Sequence, residues 1–176
     1  MQGKHGVKIT SHASVVAETV QKILDVTITW KIEAAGKIDA DIAVTKDDEF
    51  PDLPRFGVRM FLDKKLSAVR YFGMGPQESY CDKHQAASHG LYRADVGDLH
   101  EDYIRPQENG SHYDCEYVEL NNSRYGIVAS AEKAFSFNAS YYTQEELEKK
   151  PENTSSNRYC SNTTGPQLLE PMPLRL

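Results

Sequence analysis

The stretch from Val26 to Thr45, VTITWKIEAAGKIDADIAVT, constrains the fold more than any other part of the chain. Val26, Ile28, Trp30 and Ile32 alternate with Thr27, Thr29, Lys31 and Glu33. After Ala35-Gly36-Lys37 the alternation resumes through Ile38, Ala40, Ile42 and Val44. A period of two sends successive side chains to opposite faces of a strand, so this stretch is a hairpin with one buried and one wet face.

Strand character continues past the prolines of residues 50–54. RFGVRMFLD places Phe56, Val58, Met60 and Leu62 on one side and Arg55, Gly57, Arg59 and Phe61 on the other. LSAVRYFG reads as a short strand, and HYDCEYVEL, YGIVASA and AFSFNASYY as three more. In the last, Phe135, Phe137, Ala139 and Tyr141 share a face. One helix stands apart: Thr143 with Glu146 three residues on forms a capping box, lysines close the helix, and Pro151 ends it. The early SVVAETVQKIL reads as a helix or as a strand feeding the hairpin. From Pro151 the chain is polar and proline-rich, an irregular tail. These patterns predict an all-β sandwich with one short helix.

At 176 residues the chain has room for one domain with a sizeable core. A net charge of -6 argues against a nucleic-acid partner, and no apolar run has the length of a membrane span. The opening residues lack the pattern of a signal peptide. Cys81, Cys115 and Cys160 are widely spaced, which suggests reduced thiols in a cytoplasmic protein rather than a disulfide framework. The Asn-x-Ser/Thr sequons at Asn109, Asn121, Asn138, Asn153 and Asn162 matter only in a secreted chain and are read as chance.

No phosphate loop, dinucleotide fingerprint, nucleophile elbow or HExxH helix is present. GMGP (Gly73 to Pro76) lacks the lysine and following helix of a phosphate cradle and is read as a turn. His84, His89, His100 and His112, with Asp82, Asp95 and Asp98, match no standard ligand spacing, so no metal site is expected. Glu78, Glu101, Asp102 and Glu108 are acidic enough to supply a glycosidase pair, but sequence alone gives no separation between them.

Two loops carry more polar groups than a turn needs. YFGMGPQESYCDK (Tyr71 to Lys83) holds Glu78 and Tyr80; EDYIRPQENGSHYD (Glu101 to Asp114) holds Arg105, Glu108 and Asn109. Amides and carboxylates beside aromatic rings suit sugar hydroxyls and C–H faces. The competing reading is a structural network in which Arg55, Arg70 or Arg105 pairs with Glu78 or Glu108 to hold the loops. Arg70, Glu78, Tyr80, Arg105, Glu108 and Asn109 are therefore the candidates, as carbohydrate-binding or loop-organising residues.

LPRFGVRM (Leu53 to Met60), VRYFGMGPQESYCDK (Val69 to Lys83), YIRPQENG (Tyr103 to Gly110) and FSFNASYYTQEEL (Phe135 to Leu147) occur in one order. That order resembles the C-terminal domain of family 2 glycoside hydrolase β-galactosidases, also found as the small subunit of two-chain forms. The resemblance runs from about Ile23 to Lys150. It implies residues 1–22 as a lead-in, 23–150 as the domain and 151–176 as a divergent tail. It also implies a supersandwich of the galactose mutarotase-like type. The expected partners are a catalytic β-galactosidase domain or large subunit, a galactoside, and further chains in a homo- or hetero-oligomer. No cofactor, nucleic acid or membrane enters that expectation.

In this family the catalytic glutamates lie in a barrel domain, so no residue of this chain is assigned a catalytic role. After Lys150 the family has further strands and a Gly/Ser-rich loop ending in Gly-Pro. This chain passes almost directly to SNTTGPQLL, and no tryptophan follows Trp30. The sandwich is accordingly expected to be incomplete, with apolar faces and open edges that invite association. Two alternatives remain: a free-standing carbohydrate-binding module, and a mutarotase-like enzyme. The second would use Glu78 or Glu108 as base and His84, His89 or His112 as acid.

Overall fold

A computed structural model describes residues 6–16, 21–51, 53, 55–103, 109–148 and 167–169. The chain divides into two compact units, Met1–Leu53 and Pro54–Leu176. Among the described residues both are built on antiparallel sheet, in agreement with the all-β expectation.

The first unit is a sheet of order β1-β2-β3, formed by β1 (Gly6–Val16), β2 (Lys22–Glu33) and β3 (Ile38–Lys46). The predicted hairpin is β2–β3, with Val26 opposite Val44, Ile28 opposite Ile42 and Trp30 opposite Ala40. Gly36 turns it at φ +88°, a left-handed conformation that glycine adopts without a Cβ penalty. Within SVVAETVQKIL, Ser14–Val16 end β1 and the segment from Lys22 opens β2, so these parts are strand. β1 pairs with β2 from Gly6 to Val16 and shares its sheet.

Alternation gives this sheet two unlike faces. On one, Ser14 donates to Asp25 at 2.6 Å, His12 Nδ1 lies 3.0 Å from Thr27 Oγ1, and Thr10 meets Thr29 at 3.4 Å. The opposite face carries Val7, Ile9, Val15, Leu24, Val26, Trp30 and Ile38. Leu24 and Val26 are buried, while Val7, Ile9, Val15 and Ile38 are exposed.

The second unit comprises β4 (Arg59–Phe61), β5 (Ala68–Gly75), β6 (Ser88–Asp95), a 3-10 turn (Val96–Leu99), β7 (Ser111–Asn121), β8 (Gly126–Ser140), α1 (Gln144–Glu148) and β9 (Gln167–Leu169). Its sheet order is β4-β9-β8-β7-β5-β6. Val69 and Tyr71 of β5, Val118 and Leu120 of β7, and Phe135, Phe137 and Ala139 of β8 form a core with Leu66, Val96 and Leu99. Met60 and Leu62 pack against it as their spacing predicts, and Phe61 on the other side is exposed.

Two readings of this unit are corrected, and one strand, β6, is added to those read from the sequence. GIVASA and AFSFNAS, the bodies of two stretches read as separate strands, belong to one fifteen-residue strand, β8. His89 lies on β6, whose inward positions Gly90, Tyr92 and Ala94 are too small or too polar to announce a strand. GMGP is not a turn up to Pro76, because β5 runs through Gly75. Its glycines make room instead: a Cβ on Gly73 would lie 2.3 Å from Cys115 Sγ, and one on Gly75 2.3 Å from the Tyr71 hydroxyl. The capping box forms as predicted. Thr143 N donates to Glu146 Oε2 at 2.8 Å, and Glu146 N to Thr143 Oγ1 at 3.1 Å. Lys149, Lys150, Pro151 and the tail apart from 167–169 lie outside the described residues.

Candidate functional site

β5 ends at Gly75, and the loop after it turns back onto β7. Ser79 makes the attachment, fully buried, with its amide donating to Ser111 O at 2.7 Å. Its hydroxyl donates to Met74 O at 3.3 Å and accepts from Tyr113 N at 2.9 Å. Tyr80 and Lys83 then exchange backbone hydrogen bonds of 2.8 and 3.2 Å, a tight turn that returns Lys83 towards Glu78.

The Glu78 carboxylate is the hub of this region, its side chain only 7% exposed. Oε1 accepts from Lys83 Nζ at 2.9 Å and from the Tyr103 hydroxyl. Oε2 accepts from the Tyr80 hydroxyl at 3.0 Å and the Gly110 amide at 3.1 Å. Burial would raise the carboxyl's pKa, but the Tyr103, Lys83, Gly110 and Tyr80 donors outweigh it and hold it below its ordinary value. The same contacts, first Glu78 and then Tyr103, push Lys83 up to about 12. With two donors on each oxygen, the carboxylate joins the loop after β5 to the segment before β7 as a charged, hydrogen-bonded rivet.

Asn109 secures the second segment. It is buried, accepts from Glu101 N at 3.0 Å, and donates back to Glu101 O, closing a side chain–backbone ring. Its own carbonyl accepts from the Asn138 amide of β8. Gly110 follows at φ +66°, where a Cβ would lie 2.3 Å from Leu99 O, so only glycine lets its amide reach Glu78.

Of the sequence candidates, the structure brings together Glu78, Tyr80 and, through the adjoining Gly110 amide, Asn109. Arg70 is engaged elsewhere: it sits across from Glu119 of β7 and forms an ion pair with it, Nε to Oε2 at 2.8 Å. Among the described residues the cation on Glu78 is Lys83, and Arg55 bonds Gln144. Arg105 and Glu108 lie outside the described residues. Lys83, Tyr103 and Ser79 were not singled out from sequence. Lys83 was detectable in principle, five residues from Glu78 in a turn; Tyr103, 25 residues away, was not.

None of the three histidines proposed as an acid is bonded to Glu78 among the described residues. His84 Nδ1 lies 3.0 Å from Tyr80 O, and His89 Nε2 lies 3.1 Å from Asp114 O. His112 is sealed in the core, its ring centroid 4.5 Å from Tyr71 and 5.1 Å from Phe137. Its Nδ1 lies 3.3 Å from Met74 O, and Nε2 has no partner among the described residues. Burial lowers its pKa to about 4, so the ring is neutral at pH 7. Among the described residues no three His, Cys, Asp or Glu side chains converge as metal ligands.

Comparison with known proteins bears on what this arrangement serves. The sequence model for the β-galactosidase small chain matches residues 2–162. A β-galactosidase of Actinobacillus pleuropneumoniae is 43% identical over 149 residues, which are 85% of this chain and 14% of that protein. One from Staphylococcus xylosus is 30% identical over 178 residues, covering 93% of this chain and 18% of the relative. One from Lactococcus lactis is 36% identical over 115 residues, 65% of this chain and 11% of the relative. The chain thus spans less than a fifth of the length of these relatives.

Proposed function

The chain belongs to the β-galactosidase small-chain family, and from that premise we propose that it is a non-catalytic part of a β-galactosidase. In this reading it supports a catalytic domain on another stretch of polypeptide or on a large subunit, which hydrolyses terminal β-galactosides in the cytoplasm. Residues 23–150 are the small-chain domain, related in type to the galactose mutarotase-like supersandwich, and 151–176 are its divergent tail.

The observation that carries this reading is the saturated carboxylate of Glu78. A catalytic or sugar-binding carboxylate keeps a lone pair for the substrate, whereas both Glu78 oxygens are already occupied by donors from within the chain. Glu78, Tyr80 and Asn109 therefore act as loop organisers. They fix the loop after β5 against Tyr103 and Gly110, and that framework is what the chain presents to the catalytic partner.

Mixing the chain with a family 2 β-galactosidase catalytic chain that lacks this domain tests the proposal. Hydrolysis of a chromogenic β-galactoside is expected in the mixture and in neither component alone. A silent mixture overturns it, and saturable binding of galactose or lactose by the chain alone would then favour a carbohydrate-binding module.

A further inference from the structure

β1 is an outer strand: it pairs with β2 along one edge, and among the described residues no strand occupies the other. All eleven of its residues, GVKITSHASVV, are exposed. Free edges in natural sheets are guarded by prolines, bulges or charges, because their open N–H and C=O groups recruit other strands. Here the guards are confined to the ends. The single lysine, Lys8, is the third residue of the strand, and the register irregularity falls between Val15 and Val16. From Ile9 to Ser14 the edge is open.

We propose that this edge joins two copies of the chain, β1 against β1, antiparallel about a two-fold axis through Ser11. The proposal does not depend on the hydrolase reading. Ser11 is the midpoint of the described strand, Gly6–Val16, so an axis there lets every described residue of β1 pair. It places Val7 opposite Val15 of the second copy and Ile9 opposite Ala13, on the face that already carries Leu24, Val26 and Trp30. Thr10 then meets His12, extending the Thr10–Thr29 and His12–Thr27 polar ladder across the junction. Lys8 faces Ser14, and the two lysines stand roughly 20 Å apart at ~3.4 Å per residue, so like charges do not meet.

An axis between two residues would oppose apolar to polar positions, since strand faces alternate with a period of two. An axis on Lys8 would stack the lysines. The Ser11 register avoids both and fulfils the isologous condition that each patch contacts its own image. The product is one continuous sheet of order β3-β2-β1-β1-β2-β3.

Sedimentation of the full chain over a range of concentrations is expected to show a species of twice the 19.8 kDa chain mass. The double variant Val7→Lys, Val15→Lys sets lysine against lysine only in the dimer. Both positions are exposed within one chain, 59% and 46%, so the fold is retained, which circular dichroism checks, and the species reverts to monomer. With Cys81 and Cys160 replaced by serine, Ser11→Cys forms an intermolecular disulfide under mild oxidation and Lys8→Cys does not. A wild-type monomer at every concentration overturns the proposal. So does a dimer that survives the lysine pair, or cross-linking of Lys8→Cys as efficient as that of Ser11→Cys.

Discussion

Strand β1 of the first unit and strand β8 of the second are written in the same alternating code but stand at opposite ends of a burial scale. In β8, Phe135, Phe137 and Ala139 are 3%, 0% and 2% exposed; in β1 the apolar Val7 and Ile9 are 59% and 49% exposed. Alternation decides which side chains share a face. It does not decide whether anything covers that face. In the second unit the cover is its own: Leu66, the Val96–Leu99 turn and the Met60–Leu62 segment close over the β5-β7-β8 residues. The energetic weight of a residue in this protein therefore follows from what packs over it, more than from its hydrophobicity.

The largest separation of the two regions is expected from truncation. Phe137→Ala removes a fully buried ring in contact with Tyr71 and His112 and should cost about 3–5 kcal/mol in urea unfolding. A cost below 1 kcal/mol would mean that the two sheets are equally loose.

Acid acts next, on the same core. His112 is buried neutral with its pKa lowered from 6.5 to about 4, so the unfolded chain takes up a proton before the folded one does. Its contribution is fully present above 6.5 and is lost as pH falls towards 4, up to roughly 3 kcal/mol at ~1.4 kcal/mol per unit. Urea midpoints at a series of pH values should show this slope in the wild type and lose it in His112→Gln. A wild-type midpoint flat from pH 7 to 4 would contradict the buried neutral ring.

Adding a single carbon to the core sheet tests its tightness. Gly73→Ala would bring Cβ within 2.3 Å of Cys115 Sγ and 2.8 Å of Cys115 Cα, so β7 itself must shift, at a cost of about 3 kcal/mol. Calorimetry would register unchanged stability if the strands part freely.

Glu78→Gln should have a smaller and more local effect, about 2 kcal/mol, because an amide both loses the charge on Lys83 and offers protons to groups that are themselves donors. Faster amide exchange is expected at Ser79, Tyr80 and Gly110, leaving β2 and β3 unchanged. Uniform exchange would remove Glu78 as the rivet. At the far end of the scale, Ile38→Thr at the exposed start of β3 should change stability by no more than about 0.5 kcal/mol.

Local patterns were legible wherever the partner lay close in sequence. The β2–β3 hairpin was readable because twenty residues repeat one period and Gly36 marks the turn. The Thr143–Glu146 capping box was readable because its partners are three residues apart. β6 was not, since its inward Gly90, Tyr92 and Ala94 gain their place only by lying beside β5. The candidate loops were recognisable by their density of polar groups and by family motifs. Which polar group met which was not: Arg70 faced Glu119, and Glu78 drew in Tyr103 from 25 residues away.

By itself, then, the sequence determined the strand-rich class, the faces of the hairpin, the helix cap and the family to which the chain belongs. All of these rest on residue order over short spans or on motifs in series. Only the tertiary structure decided that β5 lies between β6 and β7, that Gly73 and Gly75 clear space for Cys115 and Tyr71, and that Glu78 is saturated by its own chain. Those outcomes depend on distances between residues far apart along the chain, which close packing sets and linear order does not.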